Sequence, residues 1–257
     1  MNHILLSPFF LDERIAAMDV MMDAMMDEPV QLNVPELTAP DMQGRMSQVH
    51  EGIAAYVDRT LRAGERPIPV SGDCCATIGV LAGLQRAGVD ALLVWLDSHG
   101  DFNDWATTPS GFLGGMPLAM MCGIGEQRMM NAVGAQPLAP HRVVLSDGRD
   151  LDPGERVHIA RSRILHVPDP ATLLKLRLPN VPIWVHFDSD VQRLEDMPAA
   201  KYPAQGGPSL DVLHAVAKHL AASGRVVTVS MTPWTTDMDP DGRARRNTLS
   251  VFETLLN

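Results

Sequence analysis

Ionisable side chains recur at alternate positions twice in this 257-residue chain, each time where an apolar run gives out. In "VWLDSHGDFN" (94–103) they are Asp97, His99 and Asp101, followed by Asn103; in "VHFDSD" (185–190) they are Asp188 and Asp190. Helix-capping or loop-solvating acids would explain either stretch alone. Five such groups behind two apolar strands are harder to accommodate, because unpaired buried charge is costly. Carboxylates with one or two imidazoles suit Mn²⁺, Zn²⁺ or Fe²⁺, and an oxygen-rich set leans towards Mn²⁺. The spacing predicts a divalent-metal site.

Such side chains need a scaffold. Short apolar runs alternate with helical patterns, which predicts an α/β fold: a three-layer α/β/α arrangement around a mainly parallel central sheet. Strands are expected near 3–6, 67–71, 91–96, 142–145, 163–166, 182–187 and 225–230. Helices are expected near 11–27, 42–63, 76–87, 115–121, 154–160, 209–222 and 244–255. Within 42–63, Met46, Val49, Ile53, Tyr56, Val57 and Leu61 form one apolar stripe at the 3.6-residue period. No composition shift, linker or repeat marks a second domain, so 1–257 reads as one unit. Ligands collect at the carboxyl ends of parallel strands. That edge would gather "SGDCCA", "DSHGD", "DGRDLDPGE" and "DSD".

Composition narrows the partners. Hydrophobic residues make up 46% of the chain, enough for one large core. A formal net charge of -10 argues against nucleic acid or an anionic membrane. Three cysteines (Cys74, Cys75, Cys122) make no disulfide framework, and with 16 methionines they suit a reducing cytoplasm. The opening "MNHILLSPFFLDERIAAMDV" lacks a basic region and reaches Asp12 and Glu13 too early for a signal peptide. No apolar stretch approaches the ~18 residues of a membrane span. The expectation is a soluble cytoplasmic protein acting on a small molecule. No phosphate-cradling loop or G-x-S-x-G elbow supports a kinase or serine hydrolase.

Taken in order, "VWLDSHGDFN", "GFLGGMPLAMMCG", "GRDLDPGE", "VHFDSDVQ" and "VSMTPW" resemble the arginase (ureohydrolase) family from about residue 68 onward. The resemblance implies a centre of two Mn²⁺ per chain, whose hydroxide attacks a guanidinium carbon. It implies a homo-oligomer, trimer or hexamer. Asp97 and Asp188 would bridge the ions, His99 and Asp190 would complete one, and Asp101 would belong to the other. His99 and Asp101 are assigned catalytic roles as well. Cys74 falls where the family has the histidine of a GGDHS-like motif. A thiolate can ligate Mn²⁺ or Zn²⁺ but favours zinc or iron more than imidazole does. Alternatively, Cys74 is a small core residue, which would leave one ion.

The resemblance also implies a substrate end. Asn103, Ser110 and Asp152 match positions that hold an α-carboxylate and an α-amino group, with Glu155 alongside. Asp152-Pro153-Gly154-Glu155 also makes a good helix N-terminus. The reacting end departs from the family. Phe112 replaces an asparagine, Gly114 a proton-shuttling histidine, and Ser230 a glutamate that pairs with the guanidinium. Ser230 is therefore expected to face the substrate without a countercharge. An N-hydroxyguanidine is less basic than guanidine and more readily neutral. The expected reaction is hydrolysis of N-hydroxy-L-arginine to L-ornithine and hydroxyurea, and "DCC", "HGDFN" and "GGM" resemble the arginase-like hydrolases of that compound. Two alternatives stand beside it: a ureohydrolase that no longer catalyses and binds an amino acid or a partner protein, and an arginase-type hydrolase of another linear amidine.

Other residues are read as structural. Met18, Met21, Met22, Met25 and Met26 make a helix face for packing or a subunit contact. Cys122 packs. His186 is expected to point partly away from the acids, and His50, His141, His158, His166, His214 and His219 to lie in helical or surface settings. Asp237 or Asp239 would contact another subunit or cap the last helix.

Overall fold

A computed structural model describes residues 1–19 and 30–257. Eight strands form one sheet: β1 Asn2–Ser7, β2 Val30–Leu32, β3 Arg66–Ser71, β4 Leu92–His99, β5 Val143–Asp150, β6 Leu165–Val167, β7 Ile183–Asp188 and β8 Val226–Thr232. Their order is β2-β1-β3-β8-β7-β4-β5-β6, and every neighbouring pair runs parallel. Among the described residues seven α-helices flank the sheet: α1 Met42–Arg62, α2 Thr77–Arg86, α3 Pro117–Met121, α4 Arg128–Ala132, α5 Pro153–Ser162, α6 Leu210–Ala222 and α7 Arg243–Leu256. None is long and apolar enough to cross a membrane.

Alternation along the strands produces the three layers. On β4, Leu93 and Trp95 pack with Met46 and Ile53 of α1 and Ile78 of α2. Leu92, Val94 and Leu96 pack on the other side with Leu213 of α6 and Phe252 of α7. β7 divides likewise, Trp184 facing the first core and Ile183, Val185 and Phe187 the second. Both faces are covered, as a parallel sheet requires. The helices of the first layer come close because α2 carries glycine where it meets α1. A Cβ at Gly83 would lie 2.5 Å from Cβ of Val57.

This alternation positions the chemistry. Counting in twos towards the carboxyl edge, the first face runs Trp95, Asp97, His99 on β4 and Trp184, His186, Asp188 on β7. On β8, Val229 and Met231 belong to the second core, which leaves Thr228, Ser230 and Thr232 on the first.

The structure departs from expectation at identifiable places. β4 and β5 run on to His99 and Asp150 because pairing continues through Asp97–Asp147 and His99–Asp150. The first acidic cluster is thus partly strand rather than loop. The helix expected over 11–27 does not form in its described part. There the Leu11 N–H donates to Asp73 (2.6 Å), the Ile15 N–H donates to the Pro8 carbonyl (2.8 Å), and Ala16–Asp19 is a 3₁₀ turn. These bonds tie the segment to the end of β3. Met18 is buried; Met21, Met22, Met25 and Met26 lie outside the described residues. The strand expected at 163–166 begins at Leu165, because α5 runs to Ser162 and ends on Arg163 at φ 66°. β2 and α4 were not expected, being too short to carry a readable period.

Candidate metal and substrate site

Three strand ends and their turns bring the candidate donors together. After β3 the chain enters a 3₁₀ turn, Cys74–Ala76, held by the Asp73 carboxylate, which accepts from the Cys75 N–H (2.7 Å) and the Leu11 N–H. This sets the buried Cys74 thiol 3.1 Å from Asp188 Oδ2 and 3.8 Å from Asp97 Oδ2. Asp97 is aimed by two donors: Trp95 Nε1–H reaches Oδ2 at 3.0 Å and the His99 N–H reaches Oδ1 at 2.7 Å. On the neighbouring strand Asp188 Oδ1 accepts from the Asp190 N–H (2.8 Å). Asp190 Oδ1 accepts from the Ser98 hydroxyl (2.8 Å), and its Oδ2 lies 3.0 Å from His99 Nδ1.

Two sets of donor atoms result, each with all members within 4.8 Å of one another: Cys74, Asp97, His186 and Asp188, and Asp97, His99 and Asp190. Asp97 is common to both. Asp101 lines the same cavity but joins neither set. It sits at φ 49°, and its carbonyl accepts from the Leu118 and Ala119 N–H groups (3.0 and 3.1 Å) at the start of α3.

The charges do not balance without a cation. Burial, reinforced by neighbouring carboxylates, pushes Asp101 and Asp188 well above the usual carboxylate range and Asp97 up to about 6. Burial and the same acids also raise the Cys74 thiol. For His99, burial opposes the charged form, yet Asp190 and Asp97 together hold it well above its ordinary value. Asp190 is held below its ordinary value because His99 outweighs burial. Four carboxyls crowded and buried in this way can ionise together only with a cation among them, so these residues fit a metal pair.

Above the donors opens a cavity of about 920 Å³, also lined by Asn103, Ser110, Asp152 and Glu155. Asn103 Nδ2 donates to Asp152 Oδ2 (2.9 Å), while its Oδ1 is buried and has no hydrogen-bond partner. Glu155 accepts from the N–H groups of Phe102 (2.7 Å) and Asp152 (3.1 Å). Its burial outweighs these bonds and raises it to about 7. Asp152 and Glu155 thus begin α5 and steady the loop after β4 at once. Ser110 stands exposed on the rim, accepting from the Phe112 N–H (3.2 Å).

Ser230 is placed otherwise than expected. It is buried, its hydroxyl accepts from Trp184 Nε1–H (2.8 Å) and pairs with His186 Nδ1 (2.9 Å), and it does not line the cavity. His186, expected to point partly away, is fully buried inside the donor cluster, and burial lowers it to about 3. The signal for it was its position two residues before Asp188 on the same strand face. Gly114 and Phe112 form one unit, since a Cβ at Gly114 would come within 2.3 Å of the Phe112 ring. That ring stacks on Phe10 (centroids 6.0 Å apart) and tilts against Tyr202 (5.1 Å). A side chain at 114 would require this ring to move. Asp239 caps α7, accepting from the Ala244 and Arg245 N–H groups (3.0 and 2.9 Å), and Asp237 lines the cavity.

A parallel sheet in the order β2-β1-β3-β8-β7-β4-β5-β6, with paired donor sets at its carboxyl edge, defines a class: three-layer α/β/α proteins with a candidate metal centre at the sheet edge. The sequence profile of the arginase family matches residues 13–256, and the chain belongs to that family of binuclear metal enzymes. It is a hydrolase of C–N bonds in linear amidines. The arginase of Bacillus subtilis is 29% identical over 219 residues, spanning 80% of this chain and 74% of its own length. The N(omega)-hydroxy-L-arginine amidinohydrolase of Streptomyces lavendulae is 30% identical over 165 residues, spanning 62% of this chain and 59% of its own length. Crystallised arginase from Bacillus cereus superposes with a TM-score of 0.86 at 23% identity, covering 100% of this chain and 98% of that one.

Proposed function

We propose that this chain hydrolyses N-hydroxy-L-arginine to L-ornithine and hydroxyurea. The observation that carries the hydrolytic reading is the pair of donor sets joined at Asp97. We assign Mn²⁺ to the oxygen-rich set around His99, on its donors and on the family resemblance. When bound, the metal pair supplies Lewis acidity and an activated water.

The chain's own residues do the rest. Cys74, Asp97, His99, Asp101, Asp188 and Asp190 hold the metals. His99, anchored through Nδ1 to Asp190, and Asp101 line the cavity and move protons at the reacting end. Asn103, Asp152, Glu155 and Ser110 receive the amino-acid end, and the unpaired Asn103 Oδ1 is an acceptor suited to an ammonium group. Gly114 lines the cavity without a charged side chain, and Ser230, buried behind it, presents no carboxylate to a guanidinium cation that must approach two divalent ions. An N-hydroxyguanidine, more readily neutral, loses less. The similarity to the Streptomyces amidinohydrolase supports the same substrate. We read residues 1–257 as one arginase-like domain that works in the cytoplasm as a trimer or hexamer.

The test is product analysis. Mn²⁺-loaded protein incubated with N-hydroxy-L-arginine, L-arginine and agmatine should release ornithine and hydroxyurea from the first faster than urea from the others. Equal or faster turnover of arginine would remove the substrate assignment. No turnover of any of them would favour a chain that binds an amino acid without catalysis.

A further inference from the structure

We propose that His186 is itself a metal ligand, and that with Cys74 it makes one of the two metal positions a site for a borderline-soft ion such as Zn²⁺. The inference rests on the metal-dependent hydrolase reading above and concerns the buried donor set.

The Cys74 Sγ lies 3.4 Å from His186 Nε2 and 3.1 Å from Asp188 Oδ2. A tetrahedral ion bound at ~2.3 Å to sulfur and ~2.0–2.1 Å to nitrogen sets those two donors roughly 3.5 Å apart. The cluster therefore already has the dimensions of a sulfur–nitrogen–oxygen coordination shell, with Asp97 as the fourth member. The imidazole is also oriented as ligating histidines are, with its other nitrogen anchored. His186 Nδ1 is 2.9 Å from Ser230 Oγ, which Trp184 Nε1–H holds at 2.8 Å, and the Trp95 ring packs on the imidazole at 4.1 Å between centroids. His186 and Ser230 are direct partners across β7 and β8. The small serine leaves room for the imidazole to lie over it.

The other set offers only imidazole and carboxylate. His99 Nδ1 is 3.0 Å from Asp190 Oδ2 and 3.5 Å from Asp97 Oδ1. Asp97 thus turns Oδ1 towards the oxygen-rich set and Oδ2 towards Cys74. Thiolate and imidazole select Zn²⁺, Fe²⁺ or Co²⁺, whereas carboxylate-rich sets accept Mn²⁺. The centre is asymmetric, and the buried position takes the softer ion.

X-ray absorption on the full-length protein loaded with one equivalent of Zn²⁺ tests this. The expected shell contains one sulfur and an imidazole, and it persists in His99→Gln, where His186 is the imidazole that remains beside Cys74. His186→Gln should lose the imidazole signature and bind Zn²⁺ ~10–100-fold more weakly, with circular dichroism reporting its fold. A wild-type shell without sulfur, or a His99→Gln shell without imidazole, overturns the inference while leaving a metal hydrolase intact. Failure of the wild-type protein to bind any metal overturns both readings.

Discussion

Asp97 stands between two groups of donors that differ in depth and in what holds them. His99 and Asp190 line the open cavity, and the His99 side chain is 26% exposed. His186 lies below, walled by Trp95, Trp184 and Ser230, and Cys74, beside Thr232, joins it to the cavity. The upper group is fixed by local bonds among carboxylates, backbone N–H groups and the Ser98 hydroxyl. In the lower one His186 is fixed by packing within the sheet, against Trp95 and Ser230, and Cys74 by the turn that Asp73 holds. His186 lies directly across from the small Ser230, and the ring of Phe112 fills the space beside Gly114. Two departures from the family pattern, Ser230 in the core and Gly114 at the cavity wall, thus each adjoin a ring that occupies the space beside them.

The largest effect should come from the residue that both groups share. Asp97→Asn should lower turnover by ~10⁴-fold, on the scale of losing a principal catalytic group, measured with saturating Mn²⁺ and the N-hydroxyguanidine substrate. Loss of less than tenfold would mean that the two groups act independently. Next, Trp95→Phe removes the bond to Asp97 Oδ2 and trims the ring that packs on His186. It should weaken metal binding by ~10–100-fold in chelator competition, and retained affinity would mean that packing alone aims the carboxylate.

The coupling at the cavity wall can be broken in one step and repaired in a second. Gly114→His should cost ~1–3 kcal/mol in urea unfolding through its collision with the Phe112 ring. Phe112→Ala in the same chain should recover most of that loss; additive losses would refute the coupling.

The smallest effect concerns Glu155. Its native value of about 7 lies above the ordinary 4.5, so between those pH values the folded chain keeps a proton that the unfolded chain releases. Stability of the metal-free protein should fall as pH rises from about 4.5 through about 7, and Glu155→Gln should flatten that slope. An unchanged slope would assign it to other acids.

Much of this was legible in the residues. Apolar runs on both faces announced a parallel sheet, and Asp97, His99, Asp188 and Asp190 stood out because charge at the end of an apolar strand has few structural explanations. The same alternation should have marked His186, which shares a face with Asp188. A histidine within an apolar run looks like core, and only its pairing with Cys74, 112 positions away in the chain, reveals a donor. Ser230 was misplaced because a motif position fixes a strand face but not whether the side chain reaches the cavity; here Trp184 and His186 occupy its hydroxyl. The described part, 11–19, of the helix expected at 11–27 is not α-helical for a comparable reason, since Asp73 captures the Leu11 N–H from across the fold.

Elemental analysis of the loaded and dialysed protein tests the shared-donor centre most directly. Two donor sets joined at one carboxylate predict two divalent ions per chain in the wild type and almost none in Asp97→Asn. A single ion or none in the wild type, or two retained by Asp97→Asn, would contradict it.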